Sequence, residues 1–292
     1  MTADKFISFL AAVTLIEMMF TIGVSARLPD ALAVCKDWKF IARAAVANYI
    51  LVPATAVILL RAFHTSPMIA AGFLIVAVCP GAPYGPPFTS IAKGNTGLAV
   101  GLMVILAASS AIVAPMLLGA LLPLVASHNN LQINVLQMLK TLLGAQLLPL
   151  CLGLWISDQR PGIAFICRRP ARRLSLALNL LLLTVVLVAQ FRILSEIHVK
   201  GYLGMLLLLI ASVAAGWILS GRGEDSVKAM VLTTAVRNVG VALVLSTTSF
   251  PGSAAITSAT AYGILQTVAV GLIALLWARV TPTAMLVRKK AA

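Results

Sequence analysis

The chain has 292 residues, of which 61% are hydrophobic and only 10% charged, more apolar surface than a soluble core of this size can use. Its apolar runs exceed strand length and lack two-residue alternation, which excludes an outer-membrane barrel and leaves a polytopic α-helical membrane protein. The formal charge of +14 lacks the interleaved aromatic residues of a nucleic-acid surface, so no nucleic acid partner is expected and the lipid bilayer is the surrounding medium.

Met1 to Lys5 leads into an apolar run without a small-residue cleavage pattern, so the first segment, 6–27, reads as a retained span. Within it Glu17 is the sole carboxylate well inside a span, and three roles stay open for it: proton carrier, partner of a buried cation, or a group facing a polar lumen. The second span, 37–62, carries Asn48, either a packing amide or a ligand. The third, 68–93, is interrupted by Pro80-Gly81-Ala82-Pro83-Tyr84-Gly85-Pro86-Pro87. Each proline removes a backbone donor and clashes with the carbonyl one turn back, so no continuous helix runs through this segment. Unwound backbone survives in hydrocarbon only when protein surrounds it or it lines a wet cavity, so the break marks a site near the membrane midplane.

The fourth span, 96–124, contains Ser109 and Ser110, and the fifth covers 132–157. The basic segment 158–171, with Pro161, Gly162 and Pro170, reads as a loop and the seam between two halves. Spans follow at 172–195, 200–220, 226–249 and 253–279, which makes nine crossings. If spans one to four and six to nine are repeats, the third and eighth run in opposite directions, an inverted repeat. The eighth span holds Thr233-Thr234-Ala235-Val236-Arg237-Asn238-Val239-Gly240. A guanidinium at the centre of a span costs about 2.5 to 3.5 kcal/mol, so Arg237 is expected to face a cavity or a partner. Thr233 and Thr234 either bond back to helix carbonyls or act as ligands, and Gln266 in the ninth span reads as packing.

Sixteen basic residues fall on one side: Arg27, Lys36, Lys39, Arg43, Lys93, Arg160, Arg168, Arg169, Arg172, Arg173, Arg222, Lys228, Arg279, Arg288, Lys289 and Lys290. Four fall on the other, namely Lys5, Arg61, Arg192 and Lys200, which places the N-terminus outside and the C-terminus in the cytoplasm. His64, His128 and His198 fall in outward loops. Cys35, Cys79, Cys151 and Cys167 form no CxxC pair, so neither a disulfide framework nor a zinc site is indicated.

Ala77-Val78-Cys79-Pro80-Gly81 followed by Ile91-Ala92-Lys93-Gly94-Asn95 resembles the first crossover helix of the bile acid:sodium symporter family, and the eighth span with Asn238 and Gly240 resembles the second. Met19 to Gly23, Val52-Pro53-Ala54 and Leu147-Leu148-Pro149 with Gly153 add to the likeness, which covers nearly the whole chain. The resemblance implies a transporter with a panel (about 6–27, 132–157 and 172–195) and a core (about 37–124 and 200–279), whose two broken helices cross behind the substrate cavity. Departures from the family pattern fall on its sodium ligands. Gly85 and Pro86 stand where relatives have a Ser-Asn pair, Thr233 stands at a glutamate, Arg237 at a glutamine, and Val104 and Ala107 where hydroxyls are expected.

The expectation is therefore a secondary transporter of the plasma or inner membrane that moves an organic anion, with Arg237 supplying the charge that relatives take from sodium. Substrate contacts are expected at Arg237, Asn238, Tyr84, Pro83, Gly85 and Glu17, with Asn48, Thr233, Asn238 and Ser109 as remaining ion ligands. No cofactor is expected beyond a coupling sodium ion or proton, and the partner is a small organic carboxylate. One alternative is an efflux permease of the same superfamily, for metalloids or other solutes, leaning on Cys79. The other is an intramembrane enzyme, for which the spans offer no HExxH, GxSxG or aspartate pair.

Overall fold

Proline and glycine decide where the helices of this chain stop, and apolar side chains decide that there are helices at all. The computed structural model describes residues 3–125, 131, 133–195, 199–221 and 223–280. Among these, every regular element is helical, so the protein is an all-helical polytopic membrane protein. His128, His198, Arg222 and Arg288 to Lys290 lie outside the described residues.

The first helix, α1 (Ala3–Ser25), is followed by two short helices, α2 (Leu28–Lys36) and α3 (Trp38–Ala45). A π-helical turn, Val46–Leu51, joins α3 to α4 (Val52–Ala62). Pro53 explains it: without an N–H to give to the residue one turn back, the chain takes in an extra residue, and the Val52 N–H donates to the carbonyl of Ala47, five positions earlier. The same device recurs before Pro149, where Leu143–Leu147 is π-helical between α8 (Val135–Leu142) and α9 (Leu148–Gln159). Between these lie α5 (Pro67–Ala77), α6 (Gly85–Ile91) and α7 (Thr96–Val125), and after them α10 (Pro161–Ser195), α11 (Val199–Leu219), α12 (Glu224–Ala235), α13 (Val239–Ser249) and α14 (Ala254–Val280).

Eight segments of the described residues have the length and apolarity to cross a bilayer, not the nine expected. The segment at 68–93 accounts for the difference, because its breakers divide it into α5 and α6, each too short alone. The loop expected at 158–171 is helical. Pro161 sits at the start of α10, where its missing donor costs nothing, and Pro170 is carried inside a helix of 35 residues. The sixth span accordingly starts at Pro161 and not at residue 172. The connection expected between residues 28 and 36 is α2, with Pro29 in its first turn, and α2 packs on α7.

Helix α1 packs against α9 and α10. Gly23 and Gly153 make the α1–α9 crossing: a Cβ on Gly23 would lie 2.8 Å from the Cα of Gly153, so the two backbones touch as only small residues allow. The remaining helices form a second set of contacts, α5 on α14, α11 on α12, and α6 on α7 and α12. With α8 counted beside α9, the two sets meet where α1 touches α13, where α10 touches α14, and where α7 touches α8 and the π-helical turn after it. The segment α12 to α13 lies deepest and is almost wholly buried, whereas α10 is mostly exposed and faces outward.

Candidate functional site: two interrupted helices joined back to back

The first interruption follows from covalent structure. Helix α5 closes with Val78 N–H on the Leu74 carbonyl (3.0 Å) and Cys79 N–H on Val76 (3.1 Å), and then Pro80 has no donor to continue with. Gly81 adopts φ +83°, and a Cβ there would strike the backbone nitrogen of Ala107 in α7. Only glycine meets both demands. The chain turns through Ala82 to Tyr84 and restarts as α6 with Gly85 and Pro86 in its first turn.

The second interruption contains no proline. Helix α12 ends at Ala235, Val236 is extended (φ −95°, ψ 118°), and α13 begins at Val239. Side chains replace the missing helical partners. Gln266 of α14 accepts from the Arg237 N–H (2.8 Å) and donates to the Arg237 carbonyl (2.8 Å), engaging both backbone groups of one unwound, buried residue. Asn238 caps α13 by accepting from the Val241 N–H at 3.2 Å.

Asn238 also joins the two interruptions. Its N–H donates to the Cys79 carbonyl (2.8 Å), and its side-chain amide donates to the Gly81 carbonyl (3.3 Å). Carbonyls left orphaned at the end of α5 thus find donors at the start of α13. A second contact between the same two chain segments lies one helix length away, where the Asn95 N–H donates to the Asp225 carbonyl (3.3 Å). Beside it Gly94 packs on Lys228, which is 1% exposed and pairs with Glu224 at 2.8 Å. Lys228, counted from the sequence among the cations on the cytoplasmic side at the start of the eighth span, is therefore buried structure.

Arg237 is 0% exposed, and none of its three guanidinium nitrogens has a hydrogen-bond acceptor. The side chains close enough to act on it electrostatically are Tyr262 of α14, Tyr49 of the π-helical turn and Cys79 at the first interruption. Tyr262 stands edge-on to Phe73 of α5, with ring centroids 6.0 Å apart, and its buried hydroxyl, beside Ser212 of α11, has no hydrogen-bond partner either. Tyr49 donates to the Leu106 carbonyl (3.1 Å) and shares a 2.7 Å hydrogen bond with Ser109.

The other expected site residues fall around this crossing at different removes. Gly85 is buried against Thr233, at a separation where an added Cβ would lie 3.3 Å from the threonine Oγ1. Asn48 is fully buried and donates to the Ala44 carbonyl (2.9 Å) and to Thr234 Oγ1 (3.2 Å), so it ties the second span to α12. Tyr84 is 38% exposed and Pro83 partly so, which puts the tip of the first interruption at the protein surface. Glu17 stands apart: it accepts from Thr21 Oγ1 at 2.6 Å on its own helix and makes no ion pair with Arg237. Its neighbour Met18 is the residue of α1 that touches the crossing, packing on Gly240.

Three residues of the crossing carry no local signal in the sequence: Gln266, Tyr262 and Tyr49. Tyr262 and Gln266 lie in the apolar helix α14 and Tyr49 in the first π-helical turn, and only the fold brings them to Arg237. Gln146 is a fourth of this kind. Fully buried in the second π-helical turn, it donates to the carbonyl of Ala107, the residue that Gly81 touches, and to Ser110 Oγ (2.8 Å). A proline three residues downstream, opening the helix beside a polar residue, is the signal that could have found it.

A model of the Sodium Bile acid symporter family matches residues 12–199. Among curated proteins, "Uncharacterized sodium-dependent transporter YocS" of Bacillus subtilis (strain 168) is 31% identical over 140 residues, 47% of this chain and 41% of that protein. The matched part of the chain thus spans about two fifths of the length of this relative.

Proposed function

Because the chain belongs to the Sodium Bile acid symporter family, we propose that it is a secondary transporter that carries a small organic anion across the membrane by alternating access. The moving parts are a panel of α1, α8 to α9 and α10 and a core of the remaining helices. The contact pattern supports that division, since α1 packs mainly on α9 and α10 and reaches the other helices chiefly through α13. The two interrupted helices belong to the core, and substrate binds at their crossing, where Arg237 lies, with Met18 of the panel packed on Gly240 beside it. On this reading the broken third segment counts as the ninth crossing, the N-terminus is outside and the C-terminus cytoplasmic.

The observation that carries the reading is the pairing of the Asn238 bridge with the buried Arg237. Unwound backbone inside a membrane bundle is retained where it lines a binding site, and a fixed cation there selects anions. Coupling to sodium is weak or absent. A guanidinium in the same neighbourhood raises the energy of a second cation, and two of the four candidate ion ligands are otherwise engaged, Ser109 with Tyr49 and helix carbonyls and Asn238 with both interruptions, which leaves only the Asn48 Oδ1 and Thr233 Oγ1 oxygens without a partner. The relative's printed sodium dependence makes this a sharp test. Proteoliposomes should take up a short carboxylate equally well in sodium and in choline buffer. Strict sodium dependence would refute the uncoupled reading, and failure to transport any carboxylate of a broad panel would refute the anion assignment.

A further inference from the structure

A permanently charged guanidinium at 0% exposure with no acceptor on any nitrogen is an incomplete electrostatic arrangement. Arginine does not discharge by losing its proton in proteins, so burial cannot be relieved that way. Leaving such a charge uncompensated is among the most destabilising arrangements known in protein interiors. The groups around Arg237 do not supply the missing negative charge. Tyr262, Tyr49 and Cys79 carry no negative charge, Tyr49 and Ser212 already donate to the carbonyls of Leu106 and Leu208, and the carbonyls at the two interruptions are taken, Arg237's own by Gln266 and those of Cys79 and Gly81 by Asn238. Glu17 accepts from Thr21 on α1 with one oxygen, and its other oxygen, although without a partner, does not reach the Arg237 guanidinium. The Tyr262 hydroxyl is a second buried group whose hydrogen-bond capacity is unused.

We propose that Arg237 and Tyr262, with Tyr49 and Ser212 beside them, form a closed binding pocket for one small monovalent anion inside the core. The pocket rests on the transport reading for its purpose, since it names the group the carrier holds, but its chemistry stands on these side chains alone. A planar fork and a phenol suit either a carboxylate group or a halide ion. The carboxylate would be the head of the transported substrate. The halide would be a free ion that completes the core and travels or stays with it. Either one neutralises the guanidinium where sodium would repel it.

Thermal unfolding of the purified full-length protein in detergent tests the pocket without requiring transport. The unfolding midpoint is followed while sodium bromide, sodium chloride or sodium acetate replaces sodium sulfate at constant ionic strength, and again with choline salts. The expected result is a saturable rise with bromide and chloride, with acetate, or with both, the same for sodium and choline. Halide alone would identify a free ion, and acetate alone the head of a substrate. Arg237→Gln should abolish the rise, and Tyr262→Phe, which keeps the charge and the fold, should weaken it by several-fold in anion affinity. Bromide anomalous scattering from crystals of the protein should give a peak at the guanidinium if the halide is bound. No anion-specific rise in the wild type, or a rise unchanged in both variants, overturns the pocket even if carboxylate uptake is observed. A rise lost in Arg237→Gln, together with no carboxylate uptake, keeps the pocket and removes the transport reading.

Discussion

Asn238 and Gln266 do with side chains what the helix backbone does elsewhere. Each occupies peptide groups far from water, the Arg237 carbonyl accepting also from the Val239 N–H (3.0 Å), and each buried group left unsatisfied costs about 1 to 3 kcal/mol. Gln266→Leu removes both bonds to the Arg237 peptide and should lower the unfolding midpoint of the purified protein markedly, the loss corresponding to about 2 to 4 kcal/mol. Gln266→Glu keeps an acceptor for the Arg237 N–H and brings a carboxyl group beside the unpaired guanidinium, so its loss should be the smaller of the two; equal losses would contradict this account. The residue scale also shows the limits of sequence reading. Arg237 and Asn238 stand out as polar residues in an apolar span, whereas Gln266 is read as packing because nothing within a turn of it announces the peptide it serves, 29 residues away.

At the scale of elements, the first interruption is written into the chain and the second is not. Pro80 and Gly81 act through covalent geometry, which needs no tertiary context. Gly81→Ala should therefore destabilise the protein strongly, because it both strains a positive φ and collides with the backbone of α7. Gly144→Ala, at a glycine with open space around the added atom, should change the unfolding midpoint little, and a comparable loss at both sites would argue against the close approach. The 158–171 segment shows the opposite error. Its Pro161, Gly162 and Pro170 suggest a loop, but Pro161 fits a helix start, and Ala164, Arg168, Arg169 and Ala171 to Arg173 favour helix, so α10 forms straight through. Breakers terminate an element when several coincide at one turn, as at Pro80 to Pro87, and not when they are spaced along it.

For the whole molecule, the charge asymmetry predicts sidedness. Cys35 lies exposed on α2, on the face assigned to the cytoplasm. A variant retaining Cys35 alone should react with a membrane-impermeant maleimide in inside-out vesicles and stay unlabelled in intact cells; the reverse pattern would invert the assignment. Composition, the Pro80 to Pro87 run and the isolated Arg237 were sufficient to establish a polytopic helical membrane protein with an interrupted third segment and a suspect eighth, because bilayer length, hydropathy and proline geometry are local properties of the chain. Which groups close the crossing was decided only in three dimensions. The Asn238 bridge to Cys79 and Gly81, the Gln266 clamp and the meeting of Tyr262 with Arg237 join segments far apart in the chain, and hydrogen bonds between distant residues leave no periodicity for a sequence to display.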